Sequence, residues 1–330
     1  MNKVNIAIVG ATGMVGTTFI KVLEERQFPI NTIYFFASAK SKGQKINFMG
    51  SEYEIEELTE DVFDRDIDIA LFSAGGDISK KFAPIAKAKG VVVVDNSSVW
   101  RMDPDVPLVV PEVNASDVNN HNGIIANPNC STIQCVVPLK VLDDAYKIKR
   151  IVYSTYQAVS GSGMKGIRDL EQGLLGNPPT NYPHPIANNC LPHIDVFLDN
   201  GYTKEEIKMI DETRKILGNP TLKVTATAVR VPVMNAHSVS INVEFENAFD
   251  LDEAIDKLSN SPGIIVMNNS PAYDYPMPIT ASGTDEVYVG RIRRDTSLEH
   301  GLNLWVVADN IRKGAATNTV QIAELLLQSR

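Results

Sequence analysis

The first 25 residues constrain the fold more than any other part of the chain. Val4 to Val9 form an apolar run of strand length, a glycine-rich segment at 10–16 follows at once, and residues 17–25 repeat apolar positions at helical spacing. The glycines are spaced GxxGxxG rather than GxGxxG. Both spacings supply a tight turn, a close approach of backbone to pyrophosphate and a helix start that faces the anion. The segment therefore predicts a dinucleotide-binding strand, turn and helix.

The pattern of the following residues extends this unit into a sheet. Strands are predicted at residues 32–37, 68–73 and 91–95, with a helix at residues 80–89. Strands that alternate with helices indicate a parallel, doubly wound sheet of Rossmann type, so the fold class of this half is α/β. The alternative is a sheet of this kind that binds no dinucleotide. The predicted cofactor contacts in the glycine segment are Gly10, Ala11, Thr12, Gly13, Met14 and Val15.

The loop after the second predicted strand indicates which dinucleotide is bound. An NAD site normally has an acidic residue there for the ribose 2′-hydroxyl, but no Asp or Glu occurs between Glu25 and Glu52. The loop instead contains Ser38, Lys40 and Lys42, a hydroxyl and two cations that suit a 2′-phosphate. We therefore expect NADP rather than NAD, with an ordinary solvated loop as the alternative.

Composition narrows the classes of function. The net charge of −9 and the pI near 5.1, without a clustered basic stretch, argue against nucleic-acid binding. No apolar run approaches the roughly 20 residues that span a bilayer, and the N-terminus lacks the apolar region of a signal peptide. Cys130, Cys135 and Cys190 have neither the number nor the spacing of a disulfide framework or a zinc site. We expect a cytoplasmic protein without a metal, membrane or nucleic-acid partner.

The segment from Asn127 to Thr132 places Cys130 where a loop passes into a helix. Pro128 and the two asparagines disfavour regular structure before the cysteine, and apolar residues then allow a helix to continue, apart from Pro138. Free N–H groups at such a helix start favour the thiolate, which is the nucleophilic form. The alternative is a small buried core cysteine. Beside a redox cofactor, a thiol nucleophile indicates aldehyde oxidation through a thioester.

Predicted strands dominate the chain after residue 150. They cover residues 151–157, 221–232, 238–245, 285–292 and 302–308, which indicates a mixed, largely antiparallel sheet in an α+β domain. Residues 164–188, rich in glycine, proline and asparagine, are expected to form a loop. A helix at residues 314–328 is expected to pack back onto the first domain. The predicted domains are a cofactor-binding domain at 1–129, joined by the C-terminal segment 310–330, and a catalytic domain at 130–309.

The thiol chemistry needs a base, and histidine is the usual candidate. The chain has five histidines: His121, His184, His193, His237 and His300. For any one of them a structural or exposed role is the alternative. His237 lies seven residues after Arg230 on one strand–turn unit, so a base and a carboxylate-binding guanidinium can share a pocket. Gln157 is predicted at the end of a strand that faces the pocket of Cys130.

Six short motifs run in one order along the chain. They are Gly10-Ala11-Thr12-Gly13, Ser38-Ala39-Lys40-Ser41, Ser97-Ser98-Val99-Trp100-Arg101, Asn127 to Thr132, Gln157-Ala158-Val159-Ser160-Gly161, and Arg230 to His237. In this order they resemble the aspartate-semialdehyde dehydrogenase family from end to end. Two positions depart from the family pattern: Ala228, where cysteine is common, and Ala236, where glycine, serine or cysteine is common. Both changes exchange small residues, so the assignment stands.

The resemblance implies a role for each site residue. The implied catalytic residues are Cys130 as the thioester nucleophile, His237 as the acid/base and Gln157 as the residue that orients the substrate. The implied substrate contacts are Arg230 for the α-carboxylate, Glu205 for the amino group, and Arg101 and Lys208 for phosphate. The implied cofactor contacts add Ser160, Gly161 and Asn310, the last near the nicotinamide.

The resemblance also implies the reaction. It is the reversible, NADP-dependent reductive dephosphorylation of 4-aspartyl phosphate to aspartate 4-semialdehyde and inorganic phosphate. It serves the biosynthesis of lysine (with diaminopimelate), threonine, methionine and isoleucine. A homodimer through the second domain is implied, and its pairing into a tetramer is left open.

Two other functions are weighed against this one. An enzyme like N-acetyl-glutamyl-phosphate reductase would share the cofactor, cysteine and histidine, but its acylated substrate has no free amino group for Glu205. A non-catalytic dinucleotide-sensing protein would leave unexplained why cysteine, glutamine, arginine and histidine are all present.

Overall fold

The computed structural model describes residues 3–328. The chain divides into two compact units: residues 1–128 together with 315–330 form the first, and residues 129–314 form the second. Residues 1–2 and 329–330, which belong to the predicted cofactor-binding domain, lie outside the described part. The assignment of cofactor binding to one domain and catalysis to the other stays a prediction at this point.

Strands and helices alternate along the chain. The strands are β1 (Val4–Val9), β2 (Ile30–Ala37), β3 (Lys45–Phe48), β4 (Ser51–Glu54), β5 (Glu56–Glu57), β6 (Ile69–Phe72), β7 (Val92–Asp95), β8 (Ile124–Ala126), β9 (Ile148–Gln157), β10 (Lys223–Arg230), β11 (His237–Phe245), β12 (Ile264–Met267), β13 (Val287–Asp295) and β14 (Gly301–Ala308). The helices are α1 (Met14–Glu25), α2 (Gly76–Ala88), α3 (Pro111–Asn114), α4 (Cys130–Tyr146), α5 (Gly163–Leu174), α6 (Lys204–Ile216), α7 (Leu251–Ser259), α8 (Pro278–Ala281) and α9 (Thr317–Gln328). A π-helical turn, Arg312–Ala316, directly precedes α9.

The first unit contains a six-stranded sheet in the order β5-β2-β1-β6-β7-β8, and all its pairings are parallel. Every residue of β1 and β6 is buried, as expected for strands covered on both faces. The predicted Rossmann-type α/β sheet is therefore confirmed. The antiparallel hairpin of β3 and β4 was not predicted from the sequence.

The C-terminal helix α9 packs on the first unit. Val320 and Leu326 belong to the same buried cluster as Ile6 and Phe19. Arg26 forms two short hydrogen bonds with Glu324, of 2.7 and 2.6 Å. The helix differs from the prediction at its start, because the turn from 312 to 316 has π rather than α geometry.

The second unit contains a mixed six-stranded sheet in the order β10-β9-β11-β14-β13-β12, with three of its five pairings antiparallel. The predicted mixed sheet is confirmed. In the parallel pair β9 and β10, Arg230 lies opposite Gln157. In the antiparallel pair β11 and β14, His237 lies opposite Ala308. The register therefore places these four residues at one edge of the sheet.

The expectation of a loop at residues 164–188 was wrong in its first half, where Gly163–Leu174 form α5. The glycines that suggested a loop are used for close packing. A Cβ at Gly166 would lie 2.4 Å from the Val159 carbonyl oxygen and 2.6 Å from the Tyr182 hydroxyl. Within residues 3–328, no helix combines the length and the apolar character needed to cross a bilayer.

Candidate active site

The glycine turn between β1 and α1 has no room for side chains at two positions. Gly10 has a left-handed φ of +92°, and a Cβ there would lie 2.4 Å from the Ser73 carbonyl oxygen. A Cβ at Gly16 would lie 2.1 Å from the carbonyl oxygen of Gly10. The Gly10 N–H donates to the Phe36 carbonyl at 2.8 Å, which ties the turn to the end of β2. Both glycines are therefore required by the shape of the turn.

The start of α1 is suited to an anion. Gly13 is the N-cap residue and has no side chain that could accept the first helical N–H groups, and the first turn carries no acidic residue. Thr12 and Gly13 are exposed to solvent. Exposed N–H groups at the positive end of a helix bind phosphate oxygens. The residues from Gly10 to Val15 thus fit the pyrophosphate of a dinucleotide.

The loop after β2 offers cations at the end of the strand that pairs with β1, which the glycine turn follows. Ser38 precedes a short 3-10 turn, Ala39–Ser41, and Lys40 is exposed without an ion pair among the described residues. Lys42 lies 3.9 Å from Glu57, and both side chains are well exposed. Of the two lysines, Lys40 is the one whose charge is available to a ligand.

Cys130 is the first residue of α4, so the predicted loop-to-helix junction is confirmed. Asn129 caps this helix, and its Oδ1 accepts the N–H of Ser131 at 2.8 Å. Two carboxylates hold Asn129 from outside the helix. Its backbone N–H donates to Glu212 Oε2 at 2.6 Å, and its Nδ2 donates to Glu205 Oε1 at 2.9 Å. The backbone on the N-terminal side of the cysteine is thus fixed by charged acceptors.

Gln157 and Ala158 connect the cysteine helix to the other polar groups. Gln157 Nε2 donates to Ser131 Oγ at 2.5 Å and to Glu205 Oε1 at 3.3 Å. The Ala158 N–H donates to His237 Nδ1 at 3.0 Å, and the Ala158 carbonyl accepts from Arg230 Nη1 at 2.7 Å. The backbone of one residue, Ala158, therefore fixes both the imidazole and the guanidinium.

The contact with Ala158 determines the tautomer of His237. Because Nδ1 accepts a backbone N–H, the proton of the neutral ring must be on Nε2. The Nε2 atom is buried and has no hydrogen-bond partner among the residues that the structure describes. Burial, and then the positive charge of Arg230, lower the pKa of His237 well below its usual range. The ring is therefore neutral at physiological pH and presents an N–H donor.

The space in front of these two groups is kept open by Gly161. A Cβ at this position would lie 2.8 Å from Arg230 Nη1 and 3.2 Å from His237 Nε2. Arg230 Nε, like the imidazole Nε2, is buried without a partner within residues 3–328. Buried donors of this kind cost about 1 to 3 kcal/mol each when they remain unsatisfied. They are therefore well placed to bind a ligand oxygen.

Glu205 lies in the first turn of α6, and Lys208 lies at the start of the second turn. This helix begins with a capping box, in which Thr203 and Glu206 bond to each other's backbone N–H. Lys208 Nζ lies 2.7 Å from Asp195 Oδ2 and 3.3 Å from Glu205 Oε2. Although burial opposes it, the charges of Glu205 and Asp195 raise the pKa of Lys208. Both expected substrate contacts are thus engaged with protein partners.

The turn before His237 is held by Asn310. Ala236 adopts a left-handed φ of 68°, and its N–H donates to Asn310 Oδ1 at 3.0 Å. Asn310 Nδ2 donates to Ser160 Oγ at 3.0 Å. Ser160 and Asn310, which were expected to contact the cofactor, therefore also fix the backbone next to the imidazole.

The expected site residues are divided between the two units. The second unit brings together Cys130, Gln157, Ser160, Gly161, Glu205, Lys208, Arg230, His237 and Asn310. The first unit contains the glycine turn, Ser38, Ala39, Lys40 and Arg101. Arg101 lies in the segment after β7 and is buried, and its Nη2 donates to the Asn96 carbonyl at 2.9 Å.

Glu212 was missed by the sequence reasoning. It is buried and accepts the N–H of the residue before Cys130. A signal was present, because Glu212 is in helical phase with Glu205, Met209 and Ile216 on the buried face of α6. An acidic residue on such a face indicates a specific partner.

No group of three His, Cys, Asp or Glu residues within the described ranges is arranged to hold a metal ion. The two cysteines other than Cys130 have different environments: Cys135 is fully buried and Cys190 is exposed. Burial raises the pKa of the Cys135 thiol well above its usual value. Only Cys130 therefore combines a helix start with surrounding polar groups.

The first unit has a parallel sheet with a nucleotide-type glycine turn. The second unit has an imidazole and a guanidinium at one edge of its sheet and a thiol at the start of α4. Together these features define an oxidoreductase with an NAD(P)-binding domain. Two family models match the chain. They are described as semialdehyde dehydrogenase, NAD binding domain, at residues 5–121, and semialdehyde dehydrogenase, dimerisation domain, at residues 139–313. The chain belongs to the aspartate-semialdehyde dehydrogenase family.

Similar proteins agree with this assignment. The aspartate-semialdehyde dehydrogenase of Aquifex aeolicus is 57% identical, with 98% of each chain covered. That of Legionella pneumophila is 53% identical, covering 98% of this chain and 95% of the relative. Among solved structures, aspartate semialdehyde dehydrogenase II of Vibrio cholerae, complexed with ASA, has a TM-score of 0.95 at 46% identity, with 99% of each chain covered. The Candida albicans enzyme with NADP has a TM-score of 0.77 at 27% identity, with 98% of each chain covered.

Proposed function

We propose that the chain catalyses the reversible conversion of aspartate 4-semialdehyde, phosphate and NADP to 4-aspartyl phosphate and NADPH. The observation that carries the proposal is the arrangement around Gln157 and Ala158. There, the Gln157 side-chain amide bonds to the cysteine helix, and the backbone of Ala158 bonds to Arg230 and His237. A thiol, a neutral N–H donor and a carboxylate-binding guanidinium are the groups that this reaction requires. The full-length identity to relatives of this name supports the substrate.

Cys130 is the proposed nucleophile. Its sulfur attacks the aldehyde carbon, the C=O π electrons move to oxygen, and a thiohemiacetal anion forms. When bound, NADP would supply the acceptor for the hydride of this carbon, and the residues from Gly10 to Val15 would hold its pyrophosphate. The product on Cys130 is a thioester, which phosphate cleaves to give 4-aspartyl phosphate and the free thiolate. The helix start at Asn129 supports a negatively charged sulfur at this position.

His237 is proposed to act first as a hydrogen-bond donor. The Nδ1 contact with Ala158 supports a ring protonated on Nε2, which can stabilise the oxyanion of the tetrahedral adduct. A second proton would have to go to Nδ1, which already faces the Ala158 N–H, and it would charge a ring whose ionisation burial and Arg230 disfavour. The donor half of the expected acid/base role is therefore the better supported half.

Arg230 is proposed to bind the α-carboxylate of the substrate, and Glu205 to face its amino group. The unpartnered Nε of Arg230 supports the first assignment. Glu205 already accepts from Asn129 and Gln157, so an amino group would join an existing set of donors. Arg101 and Lys208 are the proposed phosphate contacts. For Lys208 this requires that phosphate compete with Asp195.

The remaining parts of the proposal concern cofactor choice and assembly. We assign NADP over NAD because Lys40 is an exposed cation without an ion pair in the described chain. A homodimer is proposed from the match to a dimerisation domain, with a tetramer as its possible doubling. The three cysteines all lie within residues 3–328 and form no disulfide there, which suits a reducing compartment, and we propose the cytoplasm. The role proposed there is in the synthesis of lysine, threonine, methionine and isoleucine.

The reaction is tested by following NADPH formation with the purified protein. Aspartate 4-semialdehyde should give activity that depends on inorganic phosphate. N-acetyl-glutamate semialdehyde is the control for the related reductase, and it should give at least 100-fold lower efficiency because it lacks the free amino group. Equal activity with both aldehydes would contradict the assigned substrate, and no activity with either would favour a sensing function.

The cofactor preference is tested separately with Lys40→Ala. The variant should lose about tenfold in efficiency with NADP and little with NAD, since one charge-assisted contact is worth about 1.5 kcal/mol. An equal loss with both cofactors would show that Lys40 does not contact the 2′-phosphate.

A further inference from the structure

The π-helical turn Arg312–Ala316 has no role in the reaction described above. Its defining bond runs from the Gly314 N–H to the Asp309 carbonyl, five residues earlier, at 3.0 Å. Turns of this kind are less stable than α-helix and occur frequently at functional sites. This one lies at the end of β14, whose last residue is opposite His237.

Gly314 is in direct contact with Cys130. A Cβ at Gly314 would lie 2.8 Å from the Cβ of Cys130 and 3.2 Å from its Cα. Neither of these atoms is at the far end of a flexible side chain, so the backbone would have to move. The φ angle of Gly314 is not left-handed, so backbone conformation does not require glycine here. Glycine is required because a side chain at this position would collide with Cys130.

The turn that carries Gly314 is held in place by Asp309, a buried carboxylate. Its Oδ1 accepts the N–H groups of Ile311 and Arg312 at 2.8 and 2.9 Å. Its Oδ2 accepts from Asn235 Nδ2 at 2.7 Å and from the Gly283 N–H at 2.8 Å. Four hydrogen bonds from three segments therefore oppose a retreat of the turn.

The opposite side of the contact is also fixed. The residue before Cys130 is bound through its backbone N–H to Glu212 and through its side chain to Glu205. Two anchored segments thus leave no room for a side chain between Gly314 and Cys130. A displacement on either side must break hydrogen bonds worth about 1 kcal/mol each, and more where a carboxylate is involved.

We propose that Gly314 is a positioning residue for the Cys130 nucleophile. This role rests on the proposed function of Cys130. The turn anchored by Asp309 presses the bare Cα of Gly314 against the start of α4, and this contact sets the position from which the thiolate attacks. Gly314 must be glycine because a methyl group at this position would displace Cys130. All the catalytic side chains would still be present.

The test is Gly314→Ala, with Gly301→Ala as the matched control. A Cβ at Gly301 would lie 2.8 Å from the Cβ atoms of Asp295 and Leu298, at the opposite end of β14. The control therefore introduces a similar clash in the same unit away from the cysteine. Five quantities are measured: Tm, NADPH affinity, kcat, KM and the second-order rate of Cys130 alkylation by iodoacetamide.

For Gly314→Ala we expect kcat to fall about 10- to 100-fold, because small displacements of a reacting atom have effects of this size. The alkylation rate of Cys130 should change by about tenfold, with KM values and NADPH affinity within about threefold of wild type. The control should lose Tm but keep the wild-type kcat and alkylation rate. Unchanged kcat and alkylation in folded Gly314→Ala, or an equal fall of kcat in the control, would overturn the proposal.

A second variant, Asp309→Asn, keeps the proposal testable if the alanine variant does not fold. The amide is close in size to the carboxylate. Its N–H₂ group would face either the N–H groups of Ile311 and Arg312 or the donors of Asn235 and Gly283, and it cannot accept their hydrogen bonds. It should loosen the turn and give the same pattern at smaller size, about three- to tenfold in kcat and in alkylation. Wild-type values for both would overturn the proposal. Alkylation needs no aldehyde, so this result is independent of whether aspartate 4-semialdehyde proves to be the substrate.

Discussion

The glycine turn of the first unit and the catalytic edge of the second unit are built in different ways. In the glycine turn, consecutive residues form the site, and the tight contacts lie within the turn or against the next strand. The catalytic edge takes its groups from α4, β9, β10 and β11, and backbone or amide hydrogen bonds join them. Substitutions at the edge should therefore reduce the chemical rate and leave cofactor affinity unchanged, whereas those in the turn should do the reverse.

Cys130→Ser should give the largest effect. An unactivated hydroxyl is a far poorer nucleophile than a thiolate, so turnover should fall by at least about 10⁴-fold. NADP affinity, measured by fluorescence titration, should equal that of wild type because Cys130 is not among the residues assigned to the cofactor. Activity within tenfold of wild type would remove Cys130 from its role.

Arg230→Lys should be the next most damaging change, although it keeps the charge. A lysine cannot donate both to the Ala158 carbonyl and to a carboxylate in the planar geometry of a guanidinium. The loss should be roughly 2 to 4 kcal/mol, a factor of about 30 to 1000 in kcat/KM for the semialdehyde. A wild-type kcat/KM would show that Arg230 does not bind the substrate, and weakened NADP binding would break the contrast between the regions.

Arg101→Lys sharpens the contrast, because Arg101 lies in the first unit but is assigned to a substrate anion. The KM of the variant for inorganic phosphate should rise about five- to tenfold, because one charge-assisted contact is lost. The KM values for semialdehyde and NADP should stay near wild type. If the variant instead weakens the semialdehyde and leaves phosphate unchanged, the roles of Arg101 and Arg230 are reversed.

Cys135→Ala should have the smallest effect on catalysis. Cys135 is fully buried in the second turn of α4, only five residues after the nucleophile, and burial opposes its ionisation. We expect kcat within about twofold and a loss of stability of about 1 kcal/mol from the small cavity. Peptide mapping after alkylation should find inactivation tracking Cys130 in both proteins. Inactivation that follows Cys135 or Cys190 instead would contradict this comparison.

Local patterns predicted much of the molecule. The strand, glycine turn and helix of the first unit, the mixed sheet of the second and the helix start at Cys130 all follow from apolar periodicity and from the residues that interrupt it. The helix α5 was missed because Gly166 and Gly173 resemble loop residues. In the folded protein they allow close packing, against Val159 and Ala187 respectively.

Tertiary contacts account for what the sequence did not predict. Glu212 bonds to the backbone before Cys130 only after α4 and α6 have packed together. The bond of Asp195 to Lys208 requires the loop before α6 to fold back onto that helix. The tautomer of His237 depends on the Ala158 N–H, which is 79 residues away in the chain. The contact of Gly314 with Cys130 likewise requires the π-helical turn, for which the sequence has no periodic signal.

The central claim, that a thioester forms on Cys130, is tested most directly in a single-turnover experiment without phosphate. Wild-type protein mixed with NADP and aspartate 4-semialdehyde should release a rapid burst of NADPH stoichiometric with its subunits. Mass spectrometry of the quenched protein should place the acyl group on the peptide that contains Cys130, and added phosphate should remove it. A burst without acylation, acylation at Cys135 or Cys190, or the same burst from Cys130→Ser would contradict the account.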